Sequence, residues 1–501
     1  MDFERYNVRQ ECVEKQDDVI SICGLEFKIS WDELLDSLRS IEVKDERNEC
    51  VKMHDVIRDV AISIASREEH SHMVRCDEAM EDWPEKDRQR NYTAISLRCI
   101  GMHSLPHNLE LPNLQLLRLE YHHELPETPD CFYQGMQELK VVALAYMDVQ
   151  SLPTSLQCLT NLLTLSIYHC KLSGDISVIG ALKNLEILSF TGSTMENFSR
   201  GLSSLSRLEE LYVGDSVHSW NVPSSSKLVL EEGEEEELEI TTDDADAASI
   251  AELASLSNLV VLDIYLPDLK FWPRDLVLGK VKIFYITVGC RSQNWDCYLF
   301  QQNQLTLDLL DISELLESGL KMLLKSTKIL ELTGGGGLNL KNGLCDLVDG
   351  EGFECLTELS LNDCGDLEFL INSTDHRDLE LLEVKECRSV KVAFDLGELI
   401  VREGHPAVAL FSLTNVKLIH LPKLSHVLMN NSARIQGFNH LRSLRVKGCG
   451  KLRNLFSSSL AKLFVKLQEL EITECVVMEA VIAMEQRVDD EVTPSTIIFL
   501  N

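Results

Sequence analysis

One spacing of leucines constrains this chain more than any other feature of its sequence. The pattern Leu-x-x-Leu-x-Leu, with other large apolar residues at some positions, begins at Leu114, Leu139, Leu162, Leu185 and Leu208. Successive starts are 25, 23, 23 and 23 residues apart. A regular period of this length is typical of a solenoid, in which stacked units share one continuous apolar core.

Similar starts recur along most of the 501 residues, and about fourteen units are indicated. They begin near Tyr92, Leu114, Leu139, Leu162, Leu185, Leu208, Leu259, Val281, Thr327, Leu356, Leu379, Leu413, Leu441 and Leu467. Each unit is expected to place one short strand on the concave face of a horseshoe and to return through an irregular or helical segment. The predicted fold is an α/β leucine-rich repeat solenoid, whose usual work is recognition over a long surface.

The repeat pattern occupies residues 92–501, with an acidic insert at about 217–250. The run from Glu231 to Glu237 within this insert repels itself, which favours a solvated, disordered loop. Residues 76–91 are predicted to form a charged junction between the repeats and the preceding region.

Residues 1–75 do not follow the repeat and are predicted to form a small, mainly helical unit. Ser30–Leu38 reads as a short helix, and the apolar residues between Val56 and Ala65 recur at helical spacing. Val51–Met53 reads as the end of a strand.

The charge balance bears on possible partners and on location. The formal net charge is −34, so the chain should repel nucleic acid and anionic lipid over long distances. The sequence has no run of about 18 apolar residues that would predict a membrane span. It also lacks an apolar stretch behind its first residues, so we predict a cytoplasmic rather than a secreted protein.

The cysteines and the absence of catalytic motifs indicate a structural framework. Five of the sixteen cysteines lie eight residues after the first leucine of their repeat, where a small residue can hydrogen-bond the turn; they are Cys170, Cys364, Cys387, Cys449 and Cys475. We predict reduced structural thiols and no metal site, because no Cys-x-x-Cys pair occurs. The sequence also lacks phosphate-binding, zinc-protease and nucleophile-elbow motifs, so we predict no catalytic residues and no enzyme activity.

A short motif precedes the repeats. The segment from Cys50 to Ala61 reads Cys-Val-Lys-Met-His-Asp-Val-Ile-Arg-Asp-Val-Ala, with His54 and Asp55 directly before the predicted helix. By itself this pair is explained by a helix start, because a negative charge there interacts favourably with the helix dipole. Joined to leucine-rich repeats, the segment resembles the plant nucleotide-binding leucine-rich-repeat disease resistance proteins, an innate immune receptor family, and most of all their coiled-coil class.

The resemblance implies that residues 1–75 are the remnant of a winged-helix subdomain that closes a nucleotide-binding switch. It implies that His54 would face the β-phosphate of bound ADP and that Asp55 would help to hold the closed state. Segments such as Leu356–Cys364 and Leu441–Cys449 look like the cysteine-bearing repeats of the same receptors.

In that family the repeats recognise a pathogen effector or a guarded host protein and regulate an ADP/ATP switch, in part through contacts with their own switch domain. The present sequence has no phosphate loop, so tight binding of ADP or ATP by this chain alone is not expected. The alternative is a free-standing leucine-rich repeat scaffold or adaptor without a nucleotide switch.

The residues four and six positions after the first leucine of a repeat are expected to face solvent on the concave side. The strongest candidates for contact with a partner are Arg118, Tyr168, Tyr212, Tyr265, Arg445 and Lys447, because aromatic residues and arginine are favoured in interfaces. Other residues at these positions are Glu120, Ser166, Asp263, Glu383, Lys385 and Glu471.

A local reversal of charge adds a second hypothesis. Between Arg434 and Lys466 the sequence contains eight basic residues and no acidic one. This basic run is either a docking patch for an acidic partner or an ordinary solvated face.

Overall fold

A computed structural model of the chain consists of two compact units, Met1–Asp263 (unit 1) and Ile264–Asn501 (unit 2). The structure describes residues 12–16, 19–22, 25–27, 51–52, 72–75, 83, 91–99, 105–107, 109–121, 128–149, 152–172, 176–197, 201–214, 217–219, 250–274, 276–289, 303–309, 311–334, 338, 347, 353–365, 367–371, 378–395, 412–429, 438, 440–457, 461 and 464–483.

The described residues of unit 1 form short strands linked by 3-10 turns and loops. Its strands are β1 (Cys12–Gln16), β2 (Val19–Ile22), β3 (Leu25–Phe27), β4 (Val51–Lys52), β5 (His72–Arg75), β6 (Ala94–Cys99), β7 (Leu116–Tyr121), β8 (Val141–Ala145), β9 (Asp148–Val149), β10 (Thr164–Tyr168), β11 (Lys171–Leu172), β12 (Ile187–Ser189), β13 (Thr194–Asn197), β14 (Glu210–Gly214) and β15 (Val217–Ser219). Its 3-10 helices are Thr154–Cys158, Ser177–Ala181, Leu202–Ser204 and Ile250–Ser255. Strand β16 (Val261–Leu266) crosses the boundary between the units.

The strands of unit 1 form three sheets. Strands β1 to β4 form an antiparallel sheet in the order β3-β2-β1-β4. Parallel pairing then runs through β5, β6, β7, β8, β10, β12 and β14. A second parallel sheet contains β9, β11, β13 and β15. The parallel sheet of repeats therefore begins at His72, ahead of the first start indicated by the sequence at Tyr92.

The described residues of unit 2 also form short strands joined by turns and short helices. Its strands are β17 (Ile283–Val288), β18 (Gln304–Leu309), β19 (Ile329–Gly334), β20 (Glu358–Asn362), β21 (Phe369–Ile371), β22 (Leu381–Lys385), β23 (Val392–Asp395), β24 (Asn415–Ile419), β25 (His426–Met429), β26 (Ser443–Lys447), β27 (Asn454–Ser457), β28 (Glu469–Thr473) and β29 (Ala480–Ala483). Its helices are the α-helix α1 (Ile312–Glu317) and the 3-10 helices Leu269–Phe271 and Gly319–Ser326.

Strands β17, β18, β19, β20, β22, β24, β26 and β28 pair in that order as a parallel sheet. The register stays one-to-one although the connecting segments differ in length. Glu358 pairs with Leu381, whereas the paired residues Glu383 and Lys417 are 34 positions apart. The return segments thus absorb differences in repeat length without shifting the strands.

The leucine pattern is explained by the alternating burial of each strand. In β10, Leu165 and Ile167 are 0% and 1% exposed, whereas Thr164, Ser166 and Tyr168 on the opposite face are half-buried. Since neighbouring residues of a strand face opposite sides, every repeat buries two residues and presents the alternate ones. The predicted leucine-rich repeat fold is confirmed by this arrangement.

The predicted cysteine position lies in the turn that follows the strand of a repeat, as Cys170 illustrates. Cys170 is buried, and its Sγ accepts a hydrogen bond from the Met147 backbone N–H at 3.4 Å and lies 3.6 Å from the Leu144 carbonyl oxygen. Burial raises the pKa of the Cys170 thiol to about 11 and that of Cys449 to about 12. These thiols therefore stay protonated at neutral pH and serve the backbone of the preceding repeat.

The residue directly before this position is left-handed in several repeats. Tyr146 and His169 have φ angles of 57° and 49°, and Gly192 has 68°. The backbone N–H of Tyr146 donates to the carbonyl of Tyr168 at 2.9 Å, which ties the turn to the next strand. A left-handed residue is thus part of the turn that ends the strand.

Several predictions fall on residues outside the described ranges. They concern the helices Ser30–Leu38 and Val56–Ala65, the acidic insert beyond Ser219, and the motif residues His54 and Asp55. Of the region 1–75, the structure describes only strands, among them Val51–Lys52, which the sequence had indicated.

Candidate recognition surface

In unit 1 the exposed face of the parallel sheet contains rows of side chains from successive strands. The central row, in register, is Ser96, Arg118, Ala143, Ser166, Ser189 and Tyr212. The next row includes Arg98, Glu120, Ala145 and Tyr168. Small side chains on β8 and β10 therefore lie between charged residues on one side and aromatic residues on the other.

An ion-pair cluster lies on one side of these rows. Arg98 and Arg118 each contact a different oxygen of Glu120, at 3.0 Å and 3.2 Å. Glu120 is buried beneath the two guanidinium groups, at 9% exposure, whereas Arg118 is half-buried. The prediction that Glu120 faces solvent is therefore wrong, and Arg118 remains a candidate contact residue.

Three rings cluster at the end of strands β8 and β10. Tyr146 stacks on His169 with ring centroids 5.2 Å apart and planes 21° apart. Tyr168 meets both rings edge-on, with centroids 5.8 Å from Tyr146 and 4.1 Å from His169. We call Tyr146, Tyr168 and His169 the aromatic ledge. Tyr146 is 41% exposed and is the most accessible ring of the three.

The aromatic ledge was only partly predicted. The strand pattern predicts Tyr168 as a contact residue, whereas Tyr146 and His169 lie just after their strands and outside that pattern. Their shared position, one residue before the buried Met147 and Cys170, was the signal available in the sequence. Aromatic residues at one turn position of adjacent repeats come together because the repeats stack in register.

The two remaining tyrosines among the candidates differ in accessibility. Tyr212 is half-buried on the exposed face, and its hydroxyl donates to a Glu210 carboxylate oxygen at 2.9 Å. Tyr265 is only 4% exposed, and its hydroxyl donates to the Gly289 carbonyl at 3.1 Å. Tyr265 is therefore not an accessible contact residue, because its ring lies against the turn that follows β17.

The exposed face of unit 2 has an ionic centre. Glu383 on β22 accepts hydrogen bonds from Lys417 on β24, at 3.0 Å, and contacts Lys385 of its own strand. Burial is the strongest single influence on Glu383 and opposes its ionisation, but the two lysines together more than offset burial. The pKa of Glu383 consequently lies below its ordinary value.

This shift makes the stability of unit 2 depend on pH. Because the pKa of Glu383 is lower in the folded state, its contribution is fully present above the ordinary value of 4.5 and is lost as pH falls through the folded pKa. We expect Glu383→Gln to be less stable than the wild type at pH 7 and to approach it below about pH 4. Urea unfolding of both proteins between pH 7 and pH 3 tests this.

A matched control is Glu469→Gln, which changes an exposed carboxylate of β28. Its stability relative to the wild type should change little over the same range. A constant difference between wild type and Glu383→Gln at every pH would contradict the predicted role of the two lysines.

The basic run of the sequence meets acidic residues from the next turn of the solenoid. Arg445 is 2.5 Å from a Glu471 carboxylate oxygen, and Lys447 is 3.3 Å from Glu474. Arg453 similarly faces Glu479 at 3.9 Å. Arg434 and Lys462 lie outside the described residues. The sequence suggested a basic patch because the pairing acids follow Lys466 in the chain, but stacking places them beside the basic residues.

Two further features concern the described residues alone. No helix among them is both long and apolar enough for a membrane span. Within the same residues, no group of three or more His, Cys, Asp or Glu side chains is arranged to hold a metal ion.

Several known proteins are similar to this chain in sequence. Residues 336–476 match the family model of plant disease resistance protein RPS2-like leucine-rich repeats. The chain is 25% identical over 454 residues to the disease resistance protein At4g27190 of Arabidopsis thaliana, covering 86% of this chain and 42% of that protein. It is 23% identical over 506 residues to the probable disease resistance protein At4g27220 of the same plant, covering 84% and 53%. The chain thus spans about half the length of these relatives, or less.

Among solved structures, a leucine-rich repeat protein of Leptospira interrogans, LIC12759, aligns with 81% of this chain and 98% of its own. The identity is 16% and the TM-score is 0.38. The stacked strands and their buried leucines define the chain as a leucine-rich repeat protein. In sequence the chain is similar to plant disease resistance proteins, and the family match lies within its leucine-rich repeats.

Proposed function

We propose that the exposed faces of the parallel sheets recognise another protein, either a pathogen effector or a host protein that the receptor guards. In a protein that also contains a nucleotide-binding domain, this recognition would regulate an ADP/ATP switch in the cytoplasm. The role is recognition and not catalysis. His54 and Asp55 would act as switch residues only together with a phosphate loop, so this chain alone is not expected to bind ADP or ATP tightly.

One observation carries the proposal: the two faces of each strand have different chemistry. The buried face is uniformly apolar, as Leu165 and Leu382 illustrate at 0% exposure. The exposed face changes from repeat to repeat, with Ser166 on β10, Glu383 on β22 and Arg445 on β26. A constant core under a varied surface suits a scaffold for recognition, because surface residues change without loss of fold.

A yeast two-hybrid array of pathogen effectors and plant proteins tests the proposal. The full chain is compared with Ser166→Arg and Ser360→Arg, which place a large cation at half-buried positions on the exposed faces of units 1 and 2. We expect at least one interactor to be lost with one of these variants, because the new side chain would occupy the contact surface.

The matched control is Gln157→Arg, which introduces the same residue at an exposed position of the 3-10 helix Thr154–Cys158. An interactor lost with Ser166→Arg or Ser360→Arg but retained with Gln157→Arg supports recognition by the sheet face. If every interactor responds equally to all three variants, or none responds to any, the proposal is wrong.

A further inference from the structure

The backbone at the aromatic ledge is unusual for the residues that it contains. Tyr146 and His169 both have positive φ angles, 57° and 49°. This conformation is disfavoured for residues with a Cβ atom and is least common for bulky ones. The equivalent positions of other repeats contain Gly192 and Gly448, for which the conformation is unhindered, but also Asp363, Glu386, His420 and Glu474. The left-handed turn is therefore a general feature of the repeats, and at Tyr146 and His169 it presents two rings side by side.

The rings are held in place by contacts within the turn. The Nδ1–H of His169 donates to the Gly192 carbonyl oxygen at 3.2 Å, which fixes the plane of the imidazole. A Cβ atom at Gly192 would lie only 2.5 Å from that nitrogen, so the next repeat leaves room for the ring. Tyr146 then stacks on the fixed imidazole while 41% of the residue stays accessible. The ledge is therefore a preformed aromatic surface.

Charge indicates the chemistry of the group that binds there. The chain has a formal net charge of −34, so its long-range field attracts cationic partners. The face of a tyrosine ring attracts cations, and a planar guanidinium stacks on it better than an ammonium does. A carboxylate or a phosphate group would be opposed by both the net charge and the negative ring face.

We propose that the aromatic ledge is a docking point for an arginine side chain of a protein partner. This inference rests on the proposed function and deepens it, because it names the chemistry that one part of the exposed surface selects. The partner would bring its guanidinium onto the Tyr146 ring while the rest of its surface covers the neighbouring rows of unit 1.

Saturation-transfer NMR with the full chain and short peptides tests this without a known partner. The probes are acetyl-Gly-Ser-Arg-Ser-Gly-amide and two analogues with citrulline or glutamate in place of arginine. Citrulline keeps the shape of arginine but lacks its charge. We expect transfer to the arginine peptide to exceed that to the citrulline peptide by about two- to fivefold, as expected for an exposed cation–π contact.

The variant Tyr146→Gly removes the exposed ring and suits the left-handed backbone, so the fold should be retained. The matched control is Glu386→Gly, which makes the same change at a left-handed position of unit 2, where φ is 56°. The preference for arginine should disappear with Tyr146→Gly and persist with Glu386→Gly. Thermal unfolding of both variants establishes that they are folded.

Equal transfer to the arginine and citrulline peptides, or a preference for arginine that survives Tyr146→Gly, would overturn the inference. A preference for the glutamate peptide would also overturn it and would direct attention to Arg98 and Arg118. These outcomes leave the proposed function intact if the two-hybrid array yields interactors that depend on Ser166 or Ser360. The two ideas can therefore fail separately.

Discussion

Replacing Phe394 with alanine should lower the free energy of unfolding of unit 2 by about 3–5 kcal/mol. Phe394 lies on β23 and is 0% exposed. Its ring meets that of Phe438 edge-to-face, with centroids 5.1 Å apart and planes 77° apart. Truncation would remove the buried apolar surface and leave a cavity that the stacked repeats can fill only in part. Urea unfolding followed by circular dichroism measures the loss.

Hydrogen exchange shows whether the damage is local. Strand β23 pairs with β21 on one side and with β25 on the other. Backbone amides of these three strands should exchange faster in Phe394→Ala than in the wild type. The control is Val465→Ala, at a residue that is 72% exposed, and its stability should lie within about 0.5 kcal/mol of the wild type. A comparably small effect of Phe394→Ala would show that this cluster is not part of the stabilising core.

Ser193→Ala should destabilise unit 1 by about 1–3 kcal/mol. The Ser193 side chain is almost completely buried, and its hydroxyl donates to the Ile167 carbonyl at 2.7 Å and accepts from the Cys170 N–H at 3.0 Å. Alanine would leave the buried Cys170 N–H without the hydroxyl oxygen that accepts its hydrogen bond. Urea unfolding of unit 1 measures the cost.

The preceding repeat suggests a second substitution that should restore the stability lost in Ser193→Ala. Cys170 occupies the same position one repeat earlier and contacts the preceding repeat in the same way. Ser193→Cys should therefore recover most of the stability that Ser193→Ala loses. Ser206→Ala, at an exposed serine, should change stability by less than about 0.5 kcal/mol. If cysteine fails to restore what alanine removes, the hydrogen bonds of Ser193 are not the cause of the loss.

The regular part of the fold could be predicted because one set of residues determines it. Leu162, Leu165 and Ile167 are all buried where the pattern required. Strand β18 was missed because polar Gln302 stands where the first leucine of its repeat is expected, although Leu305, Leu307 and Leu309 alternate correctly. Pairing with β17 and β19 is what makes these residues a repeat.

The surface was less predictable than the core, because its chemistry depends on which repeats become neighbours. Tyr168 was found from its place in a strand, but its association with Tyr146 and His169 arises from two successive turns. Tyr265 matched the same rule and is nevertheless buried. The charge of Arg445 could be read from the sequence, whereas its pairing with Glu471 required the register of β26 and β28.

The one-to-one register across returns of unequal length has a consequence for how such a gene can change. Codons inserted or deleted in a return segment leave the strand rows aligned, as the 34-residue step between Glu383 and Lys417 illustrates beside shorter steps. A single codon gained within a strand would instead reverse the faces of all residues after it in that strand. Insertions and deletions that preserve the exposed surface should therefore concentrate in the return segments, whereas the strands should vary by substitution alone.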